Sequence, residues 1–116
     1  MPVRFSTVHA VDASPFVTGQ MKAALEEILH NIDKHAAATK VEVQLTGDDR
    51  FIDLIVIDNG IGFDTERAAA RETDGHYGLR GLAERAALVG GELEIRTEKR
   101  KGTRVRWTAL RQIEQA

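Results

Sequence analysis

The chain has 116 residues, with 16 basic against 18 acidic side chains, a formal charge of −2 and no cysteine. That length fits one domain, the missing thiols exclude disulfides, thiolate zinc sites, iron–sulfur clusters and a cysteine nucleophile, and the dispersed charge gives no broad footprint for nucleic acid. No apolar run approaches the roughly 20 residues of a membrane span and the N-terminus lacks the order of a signal peptide, so a soluble domain is expected, with a cytoplasmic setting compatible.

Val3, Phe5 and Thr7 alternate with Arg4 and Ser6 and predict a short first strand. The turn chemistry of Asp12-Ala13-Ser14-Pro15 precedes a helix expected over about residues 18–35. On a wheel of about 100° per residue, Leu25, Ile28, Leu29, Ile32 and Ala36 gather on one side, with Glu27, Asn31 and Lys34 on the other. Val41, Val43 and Leu45 alternate with polar neighbours as a half-buried strand. Gly47-Asp48-Asp49-Arg50 then turns the chain into residues 51–58, whose almost wholly apolar composition predicts a central strand. Glycines at 60, 62 and 75 break the pattern around a polar segment, 65–72, compatible with a brief helix inside a functional loop. Leu79, Leu82, Ala83, Ala86 and Val89 mark one face of a further helix capped by Gly90-Gly91, with Leu88 pointing away. Leu93 and Ile95, then Val105, Trp107 and Ala109, alternate as two strands joined by a polar turn that ends on Gly102. The order β-α-β-β-loop-α-β-β predicts an α/β fold, a two-layer sandwich of a mixed sheet with helices packed on one face.

Four clusters carry candidate chemistry. Glu27, Asn31, Lys34 and His35 stand at helical spacing, so a carboxylate, an amide oxygen and an ammonium share one side. Magnesium suits such a place, because it takes one or two protein oxygens and relies on waters and substrate phosphates for the rest. Surface pairing of Glu27 with Asn31 or Lys34 accounts for the same residues without function. Asp58-Asn59-Gly60-Ile61-Gly62-Phe63 stands where the most apolar run ends. Asp58 is placed there to accept a hydrogen bond from a ligand amine, and the glycines allow close backbone approach. An ordinary Asp-Asn-Gly turn is the alternative without function. Neither a dinucleotide fingerprint nor a Walker loop is present. Gly75-His76-Tyr77-Gly78-Leu79-Arg80-Gly81-Leu82 leads into a helix whose first amides favour phosphate, although close helix packing explains Gly81 equally well. Gly102-Thr103 opens the last strand.

Together and in this order, the four clusters resemble the ATP-binding catalytic domain of sensor histidine kinases. These belong to the GHKL ATPase superfamily, which also holds the ATPase domains of type II topoisomerases, a heat-shock chaperone and mismatch-repair proteins. Residues 27–36 look like the family's asparagine box, 58–62 its first glycine box and 78–82 its second. The wording of 78–86, followed by Gly90-Gly91 and Gly102-Thr103-Arg104-Val105, is closest to the subfamily paired with response regulators bearing LuxR-type output domains. The resemblance implies ATP and Mg2+ as cofactors, Asn31 at the magnesium, Asp58 at the adenine amino group with Thr103 supporting it, and Glu27 as the acid/base carboxylate. Lys34 and His35 would lie beside the phosphates, Gly60 and Gly62 would give the nucleotide room, and Gly78, Leu79 and Gly81 would sit where a lid over 63–77 re-enters a helix. A phosphoacceptor histidine is missing: His9, His30, His35 and His76 all fall within this domain. The expectation is therefore a catalytic module, monomeric alone and homodimeric in the full kinase. It would give the γ-phosphate to a separate dimerisation and phosphoacceptor domain, and would be cytoplasmic even where the whole sensor is membrane-bound. The alternative is an anti-sigma-factor-like serine kinase with the same nucleotide fold.

Overall fold

Ser14 and Pro15 decide where the first helix begins. The Ser14 hydroxyl accepts the Val17 amide at 3.4 Å and its carbonyl accepts the Thr18 amide at 2.9 Å, which makes Ser14 the N-cap and Pro15 the first helical residue. The helix expected over 18–35 therefore starts three residues earlier, since proline with its fixed φ opens a helix as readily as it interrupts one. The computed structural model describes residues 3–7, 12–35, 37–61, 79–98 and 101–112. Across these, the chain order is β1 (Val3–Thr7), α1 (Pro15–His35), β2 (Val41–Gly47), β3 (Phe51–Asp58), α2 (Leu79–Leu88), β4 (Leu93–Glu98) and β5 (Gly102–Leu110). The segment 65–72 and the expected lid, 63–77, lie outside the described residues.

The strands form one five-stranded sheet in the order β1-β2-β3-β5-β4, with β1 parallel to β2 and every other pair antiparallel. The apolar run of β3 is the middle strand, as its composition predicts, because a strand flanked on both edges keeps few positions in water. Side chains at Val41, Val43, Leu54, Val56, Val105, Trp107 and Ala109 meet Val17, Ala24, Ile28 and Ile32 of α1, Leu82 and Ala86 of α2, and Val89 just after it in one core. Both helices thus cover the same face, the two-layer arrangement expected from the element order. Trp107 is fully buried and donates its indole N–H to the Leu82 carbonyl at 3.2 Å, which satisfies the one polar atom it carries into the core. Ala83, assigned to the packed side of α2, is exposed; Leu82, Ala86 and Val89 are buried, with Leu79 packed beside them. Gly90, at φ 70°, closes α2: its amide bonds the Ala87 carbonyl and the Gly91 amide that of Ala86, the Schellman pattern expected at Gly90-Gly91.

Direction matters for the site. The Ser14 amide donates to Arg111, so α1 begins at the end of the sheet where β5 finishes and runs back towards Asp58. Leu82 lies against Trp107, and the Leu110 amide donates to Val89, so α2 runs with β5 and points its first turn towards Thr103. The C-terminal end of α1 and the N-terminal end of α2 therefore meet at one end of the sheet.

Candidate functional site

At that end, the register sets Val41, Asp58, Thr103 and Thr97 side by side across β2, β3, β5 and β4. All four side chains point towards the helices, because they continue the row alternation that buries Val43, Val56, Val105 and Ile95. Asp58 is only 5% exposed, and its Oδ1 accepts the Gly60 amide at 2.8 Å. Burial pushes the Asp58 carboxyl up from its ordinary value, while hydrogen bonds from the Gly60 and Thr103 amides pull it partly back. A carboxylate has about four lone-pair positions, so two backbone donors leave capacity for a ligand. Thr103 is likewise buried, and its hydroxyl lies 3.0 Å from that of Thr97, which also reaches the Gly102 carbonyl at 3.4 Å.

Two further residues shape this end, and neither was singled out for a role by the sequence. Asn59 ties the strand to the connection that follows α1. Its Oδ1 accepts the Thr39 and Lys40 amides, each at 2.9 Å, its Nδ2 donates to the Thr39 hydroxyl at 2.8 Å, and its own amide donates to the Lys40 carbonyl. This clamp follows Ala37, whose φ of 50° is a left-handed conformation that costs a non-glycine residue roughly 1 kcal/mol or more. Gly102 is buried at φ 108°, and a Cβ there would fall 2.1 Å from the Asp58 carbonyl oxygen, so glycine alone lets β5 start against the acid-bearing strand end. Its signal was the short sequence Gly102-Thr103, read only as a strand opening.

On α1, Glu27 and Asn31 are half-buried, Lys34 is exposed, and the Asn31 carboxamide oxygen is buried. Half-buried Glu27 and Asn31 border the packed stripe of Ala24, Ile28 and Ile32 instead of opposing it, and no ion pair joins Glu27 to Lys34. The backbone of His35 ends α1, and its side chain lies outside the described residues, as do Gly62 and Gly78 in full. Gly60 is buried beside Asp58. Leu79 opens α2, half-buried, and Gly81 stands in its first turn, exposed, where a Cβ would meet no atom of the described residues. Close packing against the described residues is therefore not the reason for glycine at 81. The structure thus joins Asp58, Gly60 and Thr103 directly and delivers the end of α1 and the start of α2 to the same rim. No group of three or more acidic or histidine side chains suited to a metal occurs among the described residues. A neutral amide oxygen such as that of Asn31 is still a donor that magnesium accepts when phosphates supply the rest.

Solved histidine-kinase ATP-binding domains share this mixed sheet with helices on one face. The histidine kinase domain of the blue-light-activated kinase from Erythrobacter litoralis EL346 superposes with a TM-score of 0.71 at 22% identity, over 94% of this chain and 51% of that one. The ATP binding domain of PrrB from Mycobacterium tuberculosis gives 0.68 at 21% identity, over 95% of this chain and 82% of that one. The chain belongs to the histidine kinase-, DNA gyrase B-, and HSP90-like ATPase family, whose model matches residues 17–113. Among curated proteins, the sensor histidine kinase YdfH of Bacillus subtilis is 37% identical over 71% of this chain, and DegS of Brevibacillus brevis, a signal transduction histidine-protein kinase/phosphatase, 35% over 70%. The aligned region is 20% of the length of each of these two relatives.

Proposed function

We propose that the chain is the catalytic, ATP-binding domain of a two-component sensor histidine kinase. In this reading it binds Mg-ATP and offers the γ-phosphate to a histidine on a separate dimerisation and phosphoacceptor domain, from which a response regulator with a LuxR-type output domain receives it. The observation that carries the reading is Asp58: a buried acid at the end of the central strand, held by the Gly60 amide and flanked by Thr103. Such an acid accepts the adenine amino group and rejects guanine, which presents a carbonyl at that place. A charge-assisted bond of this kind contributes roughly 1.5–3 kcal/mol.

At the phosphate end, Asn31 would hold magnesium through its carboxamide oxygen, with Lys34 and His35 beside the phosphates and Gly60 and Gly62 leaving room for the nucleotide. Magnesium, when bound, neutralises charge on the β- and γ-phosphates. Gly78, Leu79 and Gly81 would sit where a lid over 63–77 re-enters a helix, near the phosphates that first-turn amides of α2 favour. Glu27, one turn before Asn31, takes the acid/base role. The sensor histidine kinase names of the relatives favour this reading over an anti-sigma-like serine kinase. No helix among the described residues is long and apolar enough to cross a membrane, and we place the domain in the cytoplasm, as a monomer alone and within a homodimer in the full kinase.

The test is phosphotransfer. The chain alone should bind ATP and fail to label itself, because in-line transfer needs an acceptor held by another domain. A matching phosphoacceptor domain added in trans should acquire acid-labile, alkali-stable label, and Asn31→Ala or Glu27→Ala should reduce it by at least about a hundredfold. Stable phosphohistidine on the chain alone contradicts the reading, and label on a serine of an antagonist protein replaces it with the anti-sigma alternative.

A further inference from the structure

The face of the sheet turned away from the helices has a second feature, independent of the nucleotide reading. The register places Arg4, Glu42, Ile57, Arg104 and Arg96 in one row across all five strands. Lys40 and Lys101 stand at its rim, just before β2 and β5. Two adjoining hollows of about 570 and 370 Å³ share Ile57, Asp58 and Lys101, and between them they touch every member of the row. At about 4.8 Å between strands the row spans roughly 19 Å, the length of about six extended residues.

Five cations line this groove in a chain whose formal charge is −2, so positive charge is concentrated here against the average. Arg4, Lys40 and Arg104 make no ion pair with another described residue. Arg96 pairs with Glu94 at 2.9 Å and Lys101 with Glu98 at 3.8 Å, but both cations and Glu98 are largely exposed, with Glu94 partly so, and such pairs are easily exchanged for a ligand's carboxylates. In the neighbouring row the cation Arg106 is held by Asp53 through two contacts of 3.0 Å. The floor between the charges is apolar: Ile57 is half-buried and Ile55, in that neighbouring row, is 9% exposed.

We propose that this groove docks an extended acidic segment of a protein partner, with one apolar side chain seated on Ile57 and carboxylates on either side meeting Arg4 and Arg104. Charge complementarity sets the orientation and the isoleucine floor supplies the desolvated centre. A nucleic-acid strand fits less well, because the row carries no aromatic ring for base stacking and Glu42 interrupts the cations.

The experiment titrates the chain into a fluorescein-labelled peptide of alternating Glu and Asp around one central Leu, followed by anisotropy at low salt. Saturable binding is expected, weakened more than about tenfold by Arg4→Glu with Arg104→Glu, kept within about threefold by Arg4→Lys with Arg104→Lys, and lost as salt rises. Magnesium-ATP affinity should not change in either variant, since the Arg4 and Arg104 side chains lie on the sheet face opposite the Asp58 side chain, although the hollows reach the strand end that carries it. Amide shifts of the unaltered chain provide a readout that does not depend on a variant's folding: Arg4, Glu42, Ile57 and Arg104 should move on peptide addition and the α1 core positions should not. Absence of saturable binding, indifference to charge reversal in a folded variant, or shifts centred elsewhere overturn the proposal. Equal competition by a single-stranded oligonucleotide of matched charge also overturns it, in favour of a nucleic-acid surface.

Discussion

Asp58 suits a ligand better than it suits the folded chain. Burial raises its carboxyl above the unfolded value of 3.8, so its contribution to stability is complete below that pH and is lost as pH rises through the raised folded value. Asp58→Asn should remove that loss, leaving the variant at least as stable as the parent at pH 7 and its stability flatter from pH 4 to 7 in urea melts. The same change should weaken ATP binding, because the carboxamide's one oxygen is claimed by the Gly60 amide and its NH2 meets the adenine amine. Asp58→Ala should weaken it by about one to two powers of ten. A variant that still folds and binds ATP as tightly as the parent would place adenine elsewhere. Thr97 acts one step out, by holding the Thr103 hydroxyl at 3.0 Å. Asp58 and Gly60 stood out in the sequence as a strand-end motif, whereas the role of Thr103 entered only through the family resemblance. Thr97 was not legible, because its partner is fixed by the β4–β5 register, which no run of residues displays.

At the scale of elements, the site depends on how firmly the end of α1 is held against β3. Asn59 supplies three side-chain hydrogen bonds to residues 39–40, and Asn59→Ala should lower stability by roughly 1–3 kcal/mol in denaturant melts and raise the Kd for Mg-ATP, with Asp58 itself untouched. Unchanged stability would mean that the clamp is not formed in solution. Gly81→Ala separates helix from site: in an exposed first turn where the new Cβ meets no atom of the described residues, it should stabilise α2 by roughly 0.5–1 kcal/mol while weakening Mg-ATP binding. A stabilised variant with parental affinity would remove Gly81 from the nucleotide site. The helices and strands themselves were legible because their periodicities are strong, and β3 was placed centrally on composition alone. The start of α1 was misjudged because Pro15 was read as turn chemistry, and Ala83 because a face read from spacing is wider than the stripe that touches the sheet. Asn59 was hidden for a different reason, since an Asn before Gly explains itself as a turn and its partners lie 19 and 20 positions away.

For the whole molecule, the two-layer design separates tasks: helices and sheet bury one core, strand ends and helix ends converge on one rim, and the outer sheet face is left to the cationic row. The end-on convergence follows from topology, because α1 runs back along the sheet and α2 runs with β5, so both helix ends near Asp58 offer polar groups instead of apolar stripes. In the proposed reading, nucleotide recognition would divide there into an adenine half on β3 and β5 and a phosphate half on the helices, each incomplete without the other. Magnesium would link them, since a neutral oxygen such as that of Asn31 is too weak a ligand to hold the ion without phosphate oxygens. The most direct measurement is calorimetric titration of ATP into the chain with and without magnesium. The account predicts saturable binding that tightens when magnesium is present and shrinks in parallel for Asp58→Ala and Asn31→Ala; heats indistinguishable from buffer at millimolar ATP in both conditions would contradict it.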